Sequence, residues 1–239
     1  MTDSAQPLDE SSARLLLEIT GDFKGYLRYV KGLGCAGVTL PESSLRILDD
    51  RHKEAMTETL DMIRKDLGAC QGCKLYKGRR HIVFGAGNPR ARLVLVGEAP
   101  GYEEDMRGQP FVGQAGQLLN RILLAIGLTR EDVYICNIIK CRPPRNRNPE
   151  PDEISACFPF LRRQLRAIRP RLICAMGTFA AQTLLGTSAP ISELRGHFHT
   201  WEGVHLLPTY HPAFLLRNPS RKRDVWEDMQ KLQEAYEKA

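Results

Sequence analysis

No run of apolar residues in this chain approaches the roughly 18–20 needed to cross a bilayer. The first ten residues, Met1 to Glu10, are polar and acidic and lack the charged-then-apolar pattern of an export signal. The expectation is a cytoplasmic protein. An even set of cysteines is also missing. There are seven, at 35, 70, 73, 136, 141, 157 and 174, which argues against a disulfide framework. In a reducing compartment, clustered cysteines are metal ligands or buried small hydrophobes. With 42% hydrophobic and 26% charged residues over 239 positions, the chain suits one large globular domain, or one domain with an extension.

A basic excess is missing from the first quarter of the chain and present afterwards. Residues 1–60 hold seven Lys/Arg against ten Asp/Glu, a balance of −3, so the remainder carries +9 of the net +6. A basic excess confined to one part of a chain points to a polyanionic partner there, nucleic acid first; a solvated basic surface is the alternative.

The stretch Ala13 to Gly32 has apolar residues at helical spacing, and a second helix is expected from Pro41 towards Leu67. Together they describe a helical N-terminal extension over 1–60, ahead of a main domain over 61–239. Beyond Arg79 short apolar runs appear at Leu93–Gly97, Val133–Ile139, Leu172–Gly177 and Val204–Leu207. Helical patterns follow the first three, at 114–127, 150–168 and 178–186, and a last amphipathic helix is expected over Arg223–Glu237. Strands alternating with helices predict an α/β fold, a three-layer α/β/α sandwich around a central, mostly parallel four-stranded sheet. In such sheets ligands bind beyond the carboxyl ends of the strands, where the loops after Gly97, around Asn137 and after Pro208 fall.

Cys70-Gln-Gly-Cys73 is a CxxC pair, and Cys141 and Cys157 stand at the ends of a loop-and-helix segment, CRPPRNRNPEPDEISAC. A redox role for the pair lacks support, because it precedes rather than follows a strand and stands in a basic, polar turn. Four thiolates hold zinc or an iron–sulfur cluster, and spacing does not decide between them. Cys136 and Cys174 lie within apolar strands and are expected to be buried hydrophobes; Cys35 is likewise taken as a non-ligand.

Four further motifs carry polar chemistry at strand ends. Glu98 stands in GEAPG directly after LVLV, as a catalytic acid or an ordinary loop acid. Phe111 lies in the Gly-rich run EEDMRGQPFVGQAG, as core or as a ligand-facing ring. Asn137 interrupts the apolar VYICNIIK and needs partners there. His211 opens HPAFLLR after the last strand.

In this order, GEAPGxxED, GxPFVGxAG, NIIKCRPP and HPAFLLRNPSR resemble the motifs of the family-4 uracil-DNA glycosylases, across roughly Leu67 to Trp226. The resemblance implies a repair enzyme that removes uracil from uracil-containing DNA, acts as a monomer, and holds a [4Fe-4S] cluster on Cys70, Cys73, Cys141 and Cys157. It implies that Phe111 stacks on the flipped uracil, Asn137 reads its polar edge, and Ala99 lines the pocket. Glu104 is a candidate for crowding the C5 edge. His211 would hydrogen-bond O2 of the leaving base, and Glu98 would orient water and favour a cationic sugar. Leu215 and Leu216 are candidates for a wedge that fills the gap left by the flipped base, or else the first turn of a core helix. Arg142, Arg145, Arg147 and Arg217 are expected to face phosphates, with Arg221, Lys222 and Arg223. A related family-5 branch lacks a glutamate in the first motif, where Glu98 stands here. Another branch carries a histidine in the loop after the third cysteine, where this chain has RPPRNRNPEPDE. A non-enzymatic metal-stapled DNA-binding module would not need Glu98, Phe111, Asn137 and His211 together. An electron-transfer protein would not need the basic excess.

Overall fold

All four apolar runs become strands, and they lie side by side at the centre of one sheet. The computed structural model describes residues 58–238. The chain divides into the units Met1–Met56 and Thr57–Ala239, and the described residues belong to the second. The helix expected over 13–32 and the start of the one expected over 41–67 lie outside the described residues. The end of that second stretch, Leu60–Leu67 (α1), is a helix with its own beginning. Thr59 is extended, at φ −92° and ψ 158°, and its hydroxyl accepts from the Met62 N–H.

The elements that follow are β1 (Ala86–Gly87), β2 (Leu93–Gly97), α2 (Tyr102–Arg107), α3 (Gln114–Ala125), β3 (Tyr134–Asn137), α4 (Pro151–Ile168), β4 (Leu172–Met176) and α5 (Thr178–Leu185). Then come α6 (Ile191–Leu194), β5 (His199–Trp201), β6 (Val204–Thr209), α7 (Pro212–Arg217) and α8 (Lys222–Lys238). The sheet has six strands in the order β1-β3-β2-β4-β6-β5, rather than the four expected. The four expected strands are its parallel centre. The two extra strands are antiparallel edges of two and three residues. Segments that short carry no readable alternation; they cover the backbone groups that β3 and β6 would otherwise leave open.

Every residue of β2, β3 and β4 is buried, as expected when helices cover both faces of a parallel sheet. Val94, Val96, Ile173 and Ala175 pack with Leu161 and Leu165 of α4 and Ala180 of α5. Leu93, Leu95, Leu172 and Cys174 pack on the opposite face with Leu119 and Leu123 of α3 and Met229 of α8. Each fully buried Leu or Val on these faces contributes about 1.5–3 kcal/mol by leaving water, so the layering follows from the strands being apolar on both sides. Helix α4 is started firmly by Pro151 at its first position, and the Glu153 carboxylate accepts from the Glu150 N–H. Cys136 and Cys174 are buried in the strands, as expected.

Candidate active site

The parallel strands end together, and their ends carry the polar motifs. Gly97 pairs with Asn137 at the carboxyl ends of β2 and β3, and Ile138 N–H and Ile139 N–H continue the ladder to Gly97 O (2.9 Å) and Glu98 O (3.2 Å). Glu98 follows β2, Asn137 ends β3, Gly177 follows β4 and His211 follows β6. All four line one cavity of about 680 Å³, together with Ala99, Phe111, Tyr210 and Arg217. The structure thus gathers Glu98, Ala99, Glu104, Phe111, Asn137 and His211 around a single space.

Asn137 is 1% exposed, and its Oδ1 is buried without a hydrogen-bond partner. An unpaired buried acceptor costs about 1–3 kcal/mol, which a ligand donor would return. Its backbone is held from below. The buried Lys140 donates from Nζ to Asn137 O at 2.9 Å, and burial lowers the Lys140 pKa from the ordinary amine value. Gly97 makes room for the amide. A Cβ there would overlap Asn137 Oδ1 and meet Phe111 Cζ at 2.6 Å.

Phe111 is in the left-handed region at φ 53°, which costs a non-glycine residue about 1–2 kcal/mol. Its ring centroid stands 5.4 Å from that of His211 with planes 31° apart. Gly116, in the first turn of α3, lets the helix backbone run directly against the Phe111 carbonyl; any Cβ would overlap it. Glu104 spends both carboxylate oxygens on this neighbourhood. Oε1 accepts from Val112 N–H (2.8 Å) and Gly113 N–H (2.9 Å), and Oε2 from Gly101 N–H (3.1 Å). Arg130 donates to Pro110 O (2.7 Å), Phe111 O (3.0 Å) and Asn120 Oδ1 (3.3 Å). Nothing in the sequence marked Arg130, a basic residue in the turn just ahead of the VYICNIIK segment.

His211 caps α7. Its Nδ1 accepts from the Ala213 N–H at 3.1 Å, so in the neutral ring the proton sits on Nε2. Burial, and then the Arg217 charge, lower its pKa to about 4 against the opposing pull of Glu104, so the ring is neutral at pH 7. Glu98 moves the other way. Burial pushes its carboxyl up to about 7, against the Arg217 guanidinium. One neutral donor and one carboxylate poised near neutrality therefore share the cavity.

Leu215 follows the core-helix alternative. It is 1% exposed and packs in the core beside α3 and α8, because α7 turns that side inward. Leu216 is 41% exposed and remains available as a wedge. Arg145 is exposed, in a left-handed turn with Asn146 (φ 55° at both). Arg142 lies over the exposed Tyr102 ring at 5.1 Å and donates to Asn146 Oδ1. Arg147 pairs its guanidinium with the buried Glu153 at 2.5 and 2.9 Å. Arg217 turns out to line the cavity rather than only its approaches.

Cys70, Cys73, Cys141 and Cys157 line one small cavity between the turn after α1, the end of the NIIKC segment and α4. Among the described residues no group of three or more His, Cys, Asp or Glu is arranged to hold a single metal ion. The donor set nonetheless suits thiolates. Arg79 donates to Cys141 Sγ (3.3 Å), the Lys140 N–H to Cys157 Sγ (3.2 Å), and the Gly72 N–H to Cys70 Sγ (3.5 Å).

A cavity lined by polar residues at the carboxyl ends of parallel strands is the site of an α/β enzyme, and residues 84–232 match the model of the uracil DNA glycosylase superfamily. A type-4 uracil-DNA glycosylase of Saccharolobus solfataricus is 46% identical over 187 residues, 74% of this chain and 87% of that protein. One from Archaeoglobus fulgidus is 44% identical over 185 residues, covering 74% of this chain and 93% of the relative. A type-5 uracil-DNA glycosylase of Pyrobaculum aerophilum is more distant, at 34% over 154 residues. At these identities and coverages, the chain belongs to the type-4 branch of the uracil-DNA glycosylases.

Proposed function

We propose that this protein hydrolyses the bond between uracil and deoxyribose in DNA, leaving free uracil and an abasic site as the first step of base excision repair. The observation that carries this reading is the buried, unpartnered Oδ1 of Asn137 in a cavity walled by Phe111 and His211. Uracil presents an N3–H donor beside the O4 acceptor. Asn137 Oδ1 accepts from N3–H while its Nδ2 donates to O4. Cytosine offers the reverse pattern and would leave both sides unpaired, a strong ground for rejection.

The base reaches this cavity only after leaving the helical stack. Phe111 takes its face, and Ala99 lines the wall. As the glycosidic bond breaks, the electron pair goes to the uracil ring and collects on O2. The Nε2–H of neutral His211 donates to that oxygen; a single donor placed where charge develops is worth about 10²–10³ in rate. The sugar becomes oxocarbenium-like, and Glu98 in its ionised form favours that cation and orients the water. Water delivers hydroxide to C1′, and the remaining proton ends on the uracil anion. With both oxygens held by backbone amides, Glu104 serves as a brace between the two pocket loops and shapes the C5 wall through them.

The four cysteines hold a [4Fe-4S] cluster in this reading. It would supply a covalent tie between the CxxC turn, the NIIKC segment and α4, with no part in bond cleavage. The enzyme acts as a cytoplasmic monomer on single- or double-stranded uracil-containing DNA, with Arg142, Arg145 and Arg217 towards the backbone and Leu216 as the wedge. No described helix is long and apolar enough to cross a membrane. The test is alkali cleavage of a labelled oligonucleotide with one uracil, without added metal, beside thymine and cytosine controls. Cleavage at uracil alone is expected. A folded, DNA-binding protein that cleaves nothing would refute the enzyme and leave a binding module.

A further inference from the structure

The segment Pro110–Gly113 is gripped from two sides by opposite charges. Its carbonyls at 110 and 111 point to the Arg130 guanidinium, and its amides at 112 and 113 point to the Glu104 carboxylate. The peptide dipoles of a four-residue turn thus run from a cation to an anion, and Phe111, the residue between them, is the one in the left-handed region. A backbone in a disfavoured region persists only where its surroundings over-determine it. Here the surroundings are those two charged clamps and the Gly116 backbone against the Phe111 carbonyl.

We propose that Arg130 is a positioning residue that sets the Phe111 ring for the base, acting through the Phe111 backbone without touching the substrate. The guanidinium suits the task because a planar fork reaches two successive carbonyls and the Asn120 amide at once, where an ammonium offers a point charge. Arg130 enters from the turn after α3 and is not among the residues lining the cavity, so it lies outside the reacting group set. Without it, the relaxed backbone at 111 carries the ring away from Gly97 and His211, and the stacking surface is no longer held before the base arrives. The inference rests on the stacking role given to Phe111 above.

The test uses the full chain with 4-fluorophenylalanine placed at position 111, in the parent, in Arg130→Ala and in Arg130→Lys. A single narrow fluorine resonance is expected in the parent, and a shifted or multiplied one in both variants. Kinetics on a single-uracil oligonucleotide should show kcat falling about 10- to 100-fold in Arg130→Ala with KM changed less than about threefold. Arg130→Lys, which keeps the charge and most of the volume, should fall at least about threefold. Millimolar free guanidinium should restore part of the Arg130→Ala rate. In a Phe111→Leu background, Arg130→Ala should cost under about twofold, because the group it positions is gone. An unmoved resonance in both variants, or losses that multiply in the double variant, would overturn the proposal. A parent inactive on uracil but with a resonance that still moves would overturn the uracil reading and leave the clamp standing.

Discussion

Gly97 lies so close to Asn137 that a methyl group on its Cα would overlap the Asn137 side-chain oxygen and press on the Phe111 ring. The pairing of these two residues at the ends of β2 and β3 lets a buried amide and an aromatic ring share one wall of the cavity. Gly97→Ala should therefore displace both groups and lower uracil excision about 100-fold, since a misplacement near 1 Å is that costly. It should cost only about 1–3 kcal/mol of stability, as overpacking usually does. Gly78→Ala has open space around it and an ordinary φ, and should change neither single-turnover rate nor Tm.

Asn137→Ala and His211→Ala should each reduce kcat by about 10²–10³ while leaving far-ultraviolet circular dichroism unchanged. The two should differ in selectivity. In the proposed mode Asn137 reads N3–H and O4, so its loss should remove the basis for rejecting cytosine. In that mode His211 donates to O2, which uracil and cytosine share, so its loss should slow excision without relaxing the choice of base. Unchanged turnover in both variants would remove the assignment.

The rate should rise with pH through about 7. Glu98 is protonated below the pKa of about 7 and cannot stabilise a cationic sugar there, while His211 is neutral at all pH above about 4 and adds no limb in that window. Glu98→Gln should flatten the profile between pH 6 and 8 and lower its plateau by about 10²-fold or more. Stability carries the opposite sign. The folded-state pKa lies above the ordinary 4.5, so the folded protein binds this proton more tightly, and stability falls as pH rises from about 4.5 to 7. Glu98→Gln removes that loss, and its Tm should exceed the parent's at pH 8 and approach it at pH 5.

The sheet centre was legible because β2 and β4 are apolar on both faces, a pattern that survives reading without coordinates. The edges β1 and β5 were not, being too short for any period. The same divide runs through the site. Glu98, Asn137 and His211 stand out as polar residues at strand ends, whereas Arg130 acts across a turn on backbone carbonyls that no side-chain pattern announces. Leu215 and Leu216 are adjacent and chemically identical. Only the rotation of α7 sends one to the core and leaves the other outside.

That rotation gives a clean pair of variants. Leu215→Ala empties a packed position and should cost about 2–5 kcal/mol of stability, lowering Tm by many degrees. Leu216→Ala should leave Tm within a degree or two and weaken excision from double-stranded DNA more than from single-stranded DNA, where no stack needs filling. Equal losses on the two substrates would remove Leu216 as the wedge. Arg145→Ala should flatten the salt dependence of DNA binding by about one unit of slope, as loss of one phosphate contact does, whereas Arg147→Ala should act on stability through Glu153.

The cysteine site separates cofactor from chemistry. The purified protein should be brown, with a broad absorption near about 400 nm from thiolate-bound iron and about four irons per chain. Cys157→Ser removes a thiol that joins α4 to the NIIKC segment through the Lys140 N–H, so it should lose iron and lower Tm by several degrees. Asn137 lies only four residues before Cys141, with Lys140 Nζ on its carbonyl, so loosening that segment should also raise KM for uracil-containing DNA. The proposed chemical step uses no cluster atom. Protein that stays folded at low temperature should therefore keep its preference for uracil and its rise in rate through pH 7. Stoichiometric zinc in a colourless, active parent would replace iron in the assignment without touching Glu98 or His211. A folded cluster-free protein with a changed pH profile would instead place the cluster within reach of the reacting groups.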